Sequence, residues 1–187
     1  MEHILNTLKQ YVPLTRLAIE AFENVVTYIS YPEKTILLQQ GKYSRNLFFL
    51  KSGFARGFYS ADGKEVTTWF AAENDILVSF HAFITQKPSY ESIELLAPCT
   101  LVRISYDNLQ NLYKTYEEFN TIGRLITEKY YIDLEERTRS LQLNSAKERY
   151  DILLKTQPDI LQNAPLSQIA SYLGMTQETL SRVRRKN

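Results

Sequence analysis

The sequence predicts an α+β chain: an antiparallel β-roll or sandwich with helices before it and an all-helical remainder after it. Three observations carry this. The apolar period shifts from 3.6 residues toward 2 near Val26, and returns to 3.6 from Asp107 onward. Turn signals, foremost Asp62-Gly63, cut the middle into short runs spaced by roughly ten residues. The final segment, 166–187, holds two short amphipathic helices about Gly174. A length of 187 residues with 44% hydrophobic and 23% charged content suits one ordinary core plus a small second domain.

The elements follow in order. Ile4, Leu5, Leu8 and Tyr11 recur at helical spacing, Pro13 interrupts, and Leu17, Ala18, Ala21, Phe22 and Val25 resume the pattern behind Thr15 as N-cap. Runs rich in β-branched and aromatic residues fall at 26–31, 35–38, 46–51, 54–59, 65–70, 90–96 and 100–104. Seven or eight short strands at this spacing close into an antiparallel sandwich, roll or barrel. Leu109, Leu112 and Tyr113 make a short helix. Then Phe119, Ile122, Ile126, Tyr130, Leu134, Arg137 and Leu141 recur every three or four residues with no proline. A narrow apolar seam on so long a helix predicts pairing with its copy in a second subunit. Phe119, Ile122, Ile126, Tyr130, Leu134 and Leu141 are the expected dimer residues, with Leu125 and Ile132 off that seam. Asn144-Ser145 breaks the run and caps a helix containing Ala146, Tyr150, Leu153 and Leu154. The expected domains are 1–115, 116–143 and 144–187.

In the final segment each position has a physical reason. Ile169, Leu173, Leu180 and Val183 close a small core, and Ala170 lets the two backbones approach. Gly174 ends the first helix in a left-handed conformation. Thr176 caps the second. The outer face of the second helix is left with Gln177, Glu178, Ser181, Arg182 and Arg185, which can donate to and accept from base edges and phosphates. The segment 166–187 carries Arg182, Arg184, Arg185 and Lys186 against Glu178, a net +3. The other 165 residues hold 18 bases and 20 acids, a net −2. So modest a charge predicts weak binding by one copy and effective binding by two. A different class of function fits the same residues: a sensory or protein-interaction module whose degenerate helix pair does not bind DNA.

Other chemistries lack their residues. Cys99 is the single cysteine, so no internal disulfide forms, and its neighbours predict a buried small hydrophobe. His3 and His81 are the two histidines and stand in unrelated contexts, so no metal site, cofactor or enzyme activity is expected. There is no glycine-rich phosphate loop and no Gly-x-Ser-x-Gly elbow. No stretch reaches the length of a membrane span and no signal pattern opens the chain, so the cytoplasm is the expected location.

The order of parts resembles the Crp/Fnr family of bacterial transcription regulators over essentially the whole chain. The closest stretch is Ile169-Ala170 through Leu173-Gly174 to Thr179-Leu180-Ser181-Arg182; Gly41, Gly53 and Asp62-Gly63-Lys64 also fit. The resemblance implies a cyclic-nucleotide-binding-like, jelly-roll-like β-roll, a dimer helix and a helix-turn-helix. It implies a homodimer reading a two-fold operator in double-stranded DNA, with RNA polymerase as a further partner. Gln177, Glu178 and Arg182 would face bases. Ser167, Thr176 and Thr179 would hold phosphates, and Arg184, Arg185 and Lys186 would form a basic tail.

Two departures qualify it. Members that bind cyclic nucleotides carry a Gly-Glu-Leu turn and, about ten residues on, an Arg-Ser or Arg-Thr pair. Here Val78-Ser79-Phe80 and Ser89-Tyr90 stand at those places. A phosphate buried without a cationic partner is costly, so any small-molecule effector is expected to be other than cyclic AMP or cyclic GMP. Val78, Ser79, Phe80, Ser89 and Tyr90 are the candidate effector residues. The ring cluster Trp69, Phe70, Phe80, Phe83 and Tyr90 is either core or the lining of an apolar pocket. The chain also ends directly after the second helix, which implies a helix-turn-helix without the β-hairpin wing of many relatives.

Overall fold

The computed structural model describes residues 2–185. Two helices, α1 (Glu2–Lys9) and α2 (Arg16–Val25), precede the strands β1 (Val26–Tyr31), β2 (Ile36–Leu38), β3 (Asn46–Ser52), β4 (Ala55–Ala61), β5 (Lys64–Ala71) and β6 (Ile76–Leu77). Helix α3 (Phe80–Thr85), strands β7 (Ser92–Leu95) and β8 (Cys99–Ser105), and helices α4 (Tyr106–Thr115) and α5 (Glu117–Leu143) follow. The chain closes with α6 (Ala146–Thr156), α7 (Ile160–Asn163), α8 (Leu166–Tyr172) and α9 (Gln177–Arg184). The strands form two four-stranded antiparallel sheets in the orders β1-β8-β3-β6 and β2-β7-β4-β5, the roll that the strand spacing predicts. Thr15 and Ser145 cap their helices as read from the sequence: Thr15 Oγ1 accepts from the Ala18 N–H, and Ser145 forms a capping box with Glu148.

Burial explains the patterns. Leu50, Ala55, Leu77, Leu95 and Leu101 fill the space between the sheets. The alternate residues of β8, Val102 and Ile104, face the other way and pack with Phe22, Leu109, Phe119 and Ile122 of the helices. β8 is thus covered on both faces, with Cys99, Leu101, Val102 and Ile104 all buried. A third cluster joins Phe54 of the roll to Tyr150, Leu153, Ile169, Leu173 and Leu180 of the terminal helices.

The structure adds elements that the periodicity does not reveal. β6 has two residues and α7 one turn, too few for a period to register. A short helix around His81, α3, buries Ala82 and Phe83 and ends at Gln86 with φ +53°.

The expected dimer seam also needs correction. Phe119 and Ile122 are buried in the chain's own core. Ile126 packs against that core, and the Tyr130 ring lies 4.8 Å from Phe80. These four residues serve the α5–roll contact, because the apolar surface of the first sheet needs a cover and α5 supplies it. Leu134 and Leu141 remain open, at 61% and 39% exposure, beside Tyr131 at 67%. With Thr127 and Thr138, both exposed, they form a second stripe at spacings of four, three, four and three residues, the heptad pattern of a coiled coil.

Candidate nucleic-acid interface

α8 ends as its sequence requires. The Met175 N–H donates to the Ala170 carbonyl and the Gly174 N–H to that of Ser171, each at 3.0 Å, while Gly174 takes φ +63°. This is the six-to-one and five-to-two pairing that a left-handed residue permits. A Cβ on Gly174 would also lie 2.9 Å from Leu141 Cδ2, so the turn sits directly on α5. Thr176 Oγ1 accepts from the Thr179 N–H at 3.2 Å and starts α9. Ile169, Ala170, Leu173 and Leu180 are buried between the helices.

With that face committed, the other is open. Gln177, Glu178, Arg182 and Arg184 of α9 and Arg185 just after it are exposed, as are Thr176 and Ser167; Thr179 and Ser181 are half-buried. Lys186 lies outside the described residues. Glu178 sits in the first turn, where its own backbone N–H and the Thr176 hydroxyl hold its carboxyl below the usual carboxylate range. None of the three arginines has an ion pair among the described residues. The surface is therefore anionic at one point, cationic at the helix end, and rich in free donors.

Two arginines that the sequence reading did not assign to the site hold this unit in place. Arg149 of α6 donates from Nε to the Leu173 carbonyl at 2.7 Å and from Nη1 to that of Asn144, bracing the turn. Arg137 of α5 donates to the Tyr172 carbonyl at 2.9 Å, and its guanidinium lies 4.1 Å from the Tyr172 ring centroid. Tyr172 in turn meets Phe70 of β5 edge-on at 5.3 Å. Ser171 Oγ accepts from the Thr67 N–H at 3.0 Å and donates to the Glu65 carbonyl at 3.2 Å. β5 is the edge of its sheet, so α8 covers backbone groups that would otherwise be open to another strand. The signal for Arg137 was present: a charged residue within an apolar helical series is a charge bound for burial.

The candidate effector residues are dispersed. Ser79 and Ser89 are buried with hydroxyls 2.9 Å apart, and the Ser89 hydroxyl is 2.8 Å from the Glu91 carbonyl. Val78 is core. Tyr90 is exposed and stacks on His81 at 4.2 Å. Phe80 borders the cavity beneath α5. The expected ring cluster separates likewise: Trp69 points into the roll, Phe70 faces α8, and Phe80 and Phe83 lie under α5. Alternation sends neighbouring strand residues to opposite faces, so closeness in sequence did not become closeness in space.

Glu91, just before β7, is the group the sequence reading missed. Its carboxylate accepts from Trp69 Nε1 at 2.9 Å and from Thr68 Oγ1 at 3.4 Å. Burial pushes the carboxyl above the usual range, against hydrogen bonds from Trp69, Ser79 and Thr68 that lower it. This places a buried carboxyl group beside the Ser79–Ser89 pair.

Residues 28–116 match the family model of the cyclic nucleotide-binding domain. No curated protein matches the chain. Among solved structures, the fold is similar to the c-di-GMP-responsive global regulator CLP of Xanthomonas campestris, at 20% identity and TM-score 0.70 over 92% of this chain and 91% of that one. It is similar to FixK2 of Bradyrhizobium japonicum, at 19% identity and TM-score 0.74 over 87% and 84%. A Crp/Fnr-family transcriptional regulator from Eubacterium rectale aligns at 17% identity and TM-score 0.75 over 97% and 87%. No helix among the described residues is long and apolar enough to cross a membrane. Residues 28–116 thus match the cyclic nucleotide-binding domain, and the chain as a whole shares the fold of these solved structures.

Proposed function

We propose that the chain is a dimeric, cytoplasmic, non-enzymatic transcription regulator that reads double-stranded DNA with α9. The observation that carries this reading is the open outer face of α9, where Gln177, Glu178, Arg182 and Arg185 are exposed while Leu180 anchors the opposite face. Gln177 and Arg182 have the bidentate chemistry that reads adenine and guanine edges in the major groove. Ser167, Thr176, Thr179, Ser181, Arg184, Arg185 and Lys186 supply phosphate contacts. Dimerisation runs through the exposed heptad of α5, with Tyr131, Leu134 and Leu141 at its centre. It sets two copies of α9 at successive major grooves, about 34 Å apart.

In the roll, Glu91 and the Ser79–Ser89 pair replace the cationic partner that a cyclic phosphate needs. Cyclic AMP and cyclic GMP therefore bind weakly or not at all. Calorimetry with either nucleotide tests this, and micromolar affinity overturns it.

The test of the main reading is fluorescence anisotropy of the full chain on genomic fragments across a salt series. Sequence-selective binding that weakens steeply with salt is expected. Arg182→Ala should flatten discrimination among half-site variants while sedimentation still reports a dimer. Absent binding, or salt-insensitive binding without sequence preference, would sink the proposal in favour of a sensory or protein-interaction module.

A further inference from the structure

A cavity of about 500 Å³ lies outside the roll, under the first turns of α5. Phe22, Phe49, Phe80, Phe83 and Phe119 give it an aromatic wall, and Ile126 closes the α5 side. Pockets that hold small organic ligands are of this size, roughly 300–1,000 Å³, and pair apolar walls with a few placed polar groups.

Gln110, Asn120, Thr127 and Tyr113 are among the neutral polar residues of the cavity's lining; Asn120 and Thr127 donate to backbone carbonyls, and Tyr113 of α4 faces Gly123 across the gap between α4 and α5. The Tyr113 hydroxyl has no hydrogen-bond partner among the described residues. Burial alone raises its phenol above the usual range. Opposite stands Gly123, inside α5, where a Cβ would lie 2.6 Å from the Tyr113 hydroxyl. Glycine within a helix costs about 1 kcal/mol relative to alanine; at this position it leaves room for that hydroxyl between α4 and α5. The charges at the rim, Arg124 and Glu128, are paired with each other at 2.7 Å. No uncompensated charge faces the cavity, so a charged ligand would enter it unpaired and at high cost.

We propose that this cavity binds a neutral aromatic small molecule, its rings among the phenylalanines and one polar atom hydrogen-bonded to the Tyr113 hydroxyl. The site is separate from the roll interior and from the face of α9.

The probe is N-phenyl-1-naphthylamine, a neutral aromatic amine that fluoresces on leaving water, titrated into the full chain without DNA. Saturable binding of one probe per chain is expected. Ile126→Trp and Ile84→Trp each fill the cavity and should weaken binding at least tenfold. Tyr113→Phe keeps the volume and should weaken it about fivefold, the scale of one hydrogen bond. Circular dichroism and thermal melting identify the folded variants; Ile84 is exposed at the cavity edge, so its variant keeps the test informative if Ile126→Trp unfolds. No saturable binding by the parent chain, or parental affinity in a folded filling variant or in Tyr113→Phe, overturns the assignment. Because no DNA is present, the result is independent of whether α9 reads a duplex.

Discussion

Gly174 shows how much one residue can decide. Its positive φ closes α8, and its missing side chain lets Leu141 of α5 touch the turn. Gly174→Ala should destabilise the protein by about 1–2 kcal/mol from the left-handed backbone alone, with a further loss from the Leu141 contact; urea denaturation measures it. Glu91 works in the opposite sense. Its carboxyl is raised by burial in the folded chain, so the folded state holds a proton that the unfolded state has released. Stability therefore falls as pH rises from the ordinary carboxylate value, 4.5, through the raised one. Glu91→Gln removes this loss while keeping an acceptor for Trp69. The variant should be more stable than the parent at pH 7, with the difference vanishing below the ordinary carboxylate range. A parent that is the more stable of the two at pH 7 would contradict the burial argument.

At the scale of elements, α5 has two jobs on two faces. Its first turns roof the outer sheet through Phe119 and Ile122, and its later turns expose Tyr131, Leu134 and Leu141. Leu134→Glu should leave the melting temperature nearly unchanged and halve the mass seen by light scattering. Phe119→Glu, by contrast, should unfold the protein. If both variants keep the parent's mass and stability, the division of labour along α5 is wrong. α8 is held to β5 by Ser171 and to α5 by Arg137. Arg137→Ala removes a hydrogen bond from a charged donor and should cost about 1.5–3 kcal/mol. Hydrogen exchange at the Thr67 amide, which Ser171 accepts, should quicken in step as α8 loosens from the sheet edge.

For the whole molecule, charge and geometry act together. The final segment carries a net +3 against −2 elsewhere, and in the proposed dimer this would direct one end of each subunit toward phosphates. If Arg184, Arg185 and Lys186 of two subunits each neutralise one phosphate, log affinity should fall with log salt at a slope of about −5. A monomeric Leu134→Glu variant should show roughly half that slope, measured by the same anisotropy titration. Equal slopes for parent and variant would separate DNA binding from dimerisation and break the proposed mechanism.

What the chain's own order of residues settled is local. A period of 2 against 3.6 marked the roll and the helices, and the glycine, the cap and the small residue at 174, 176 and 170 marked the turn between α8 and α9, because each acts on backbone within a few residues of itself. What tertiary structure alone decided is which face of an element meets what. Tyr130 and Leu134 share a spacing pattern, yet the first lies under Phe80 and the second in solvent. Ser79, Ser89 and Glu91 converge though no motif unites them, and Phe70 and Trp69 part across one strand. Burial depends on the curvature of the sheets and on where α5 lies across them, quantities that many distant contacts set jointly and no short stretch of sequence carries.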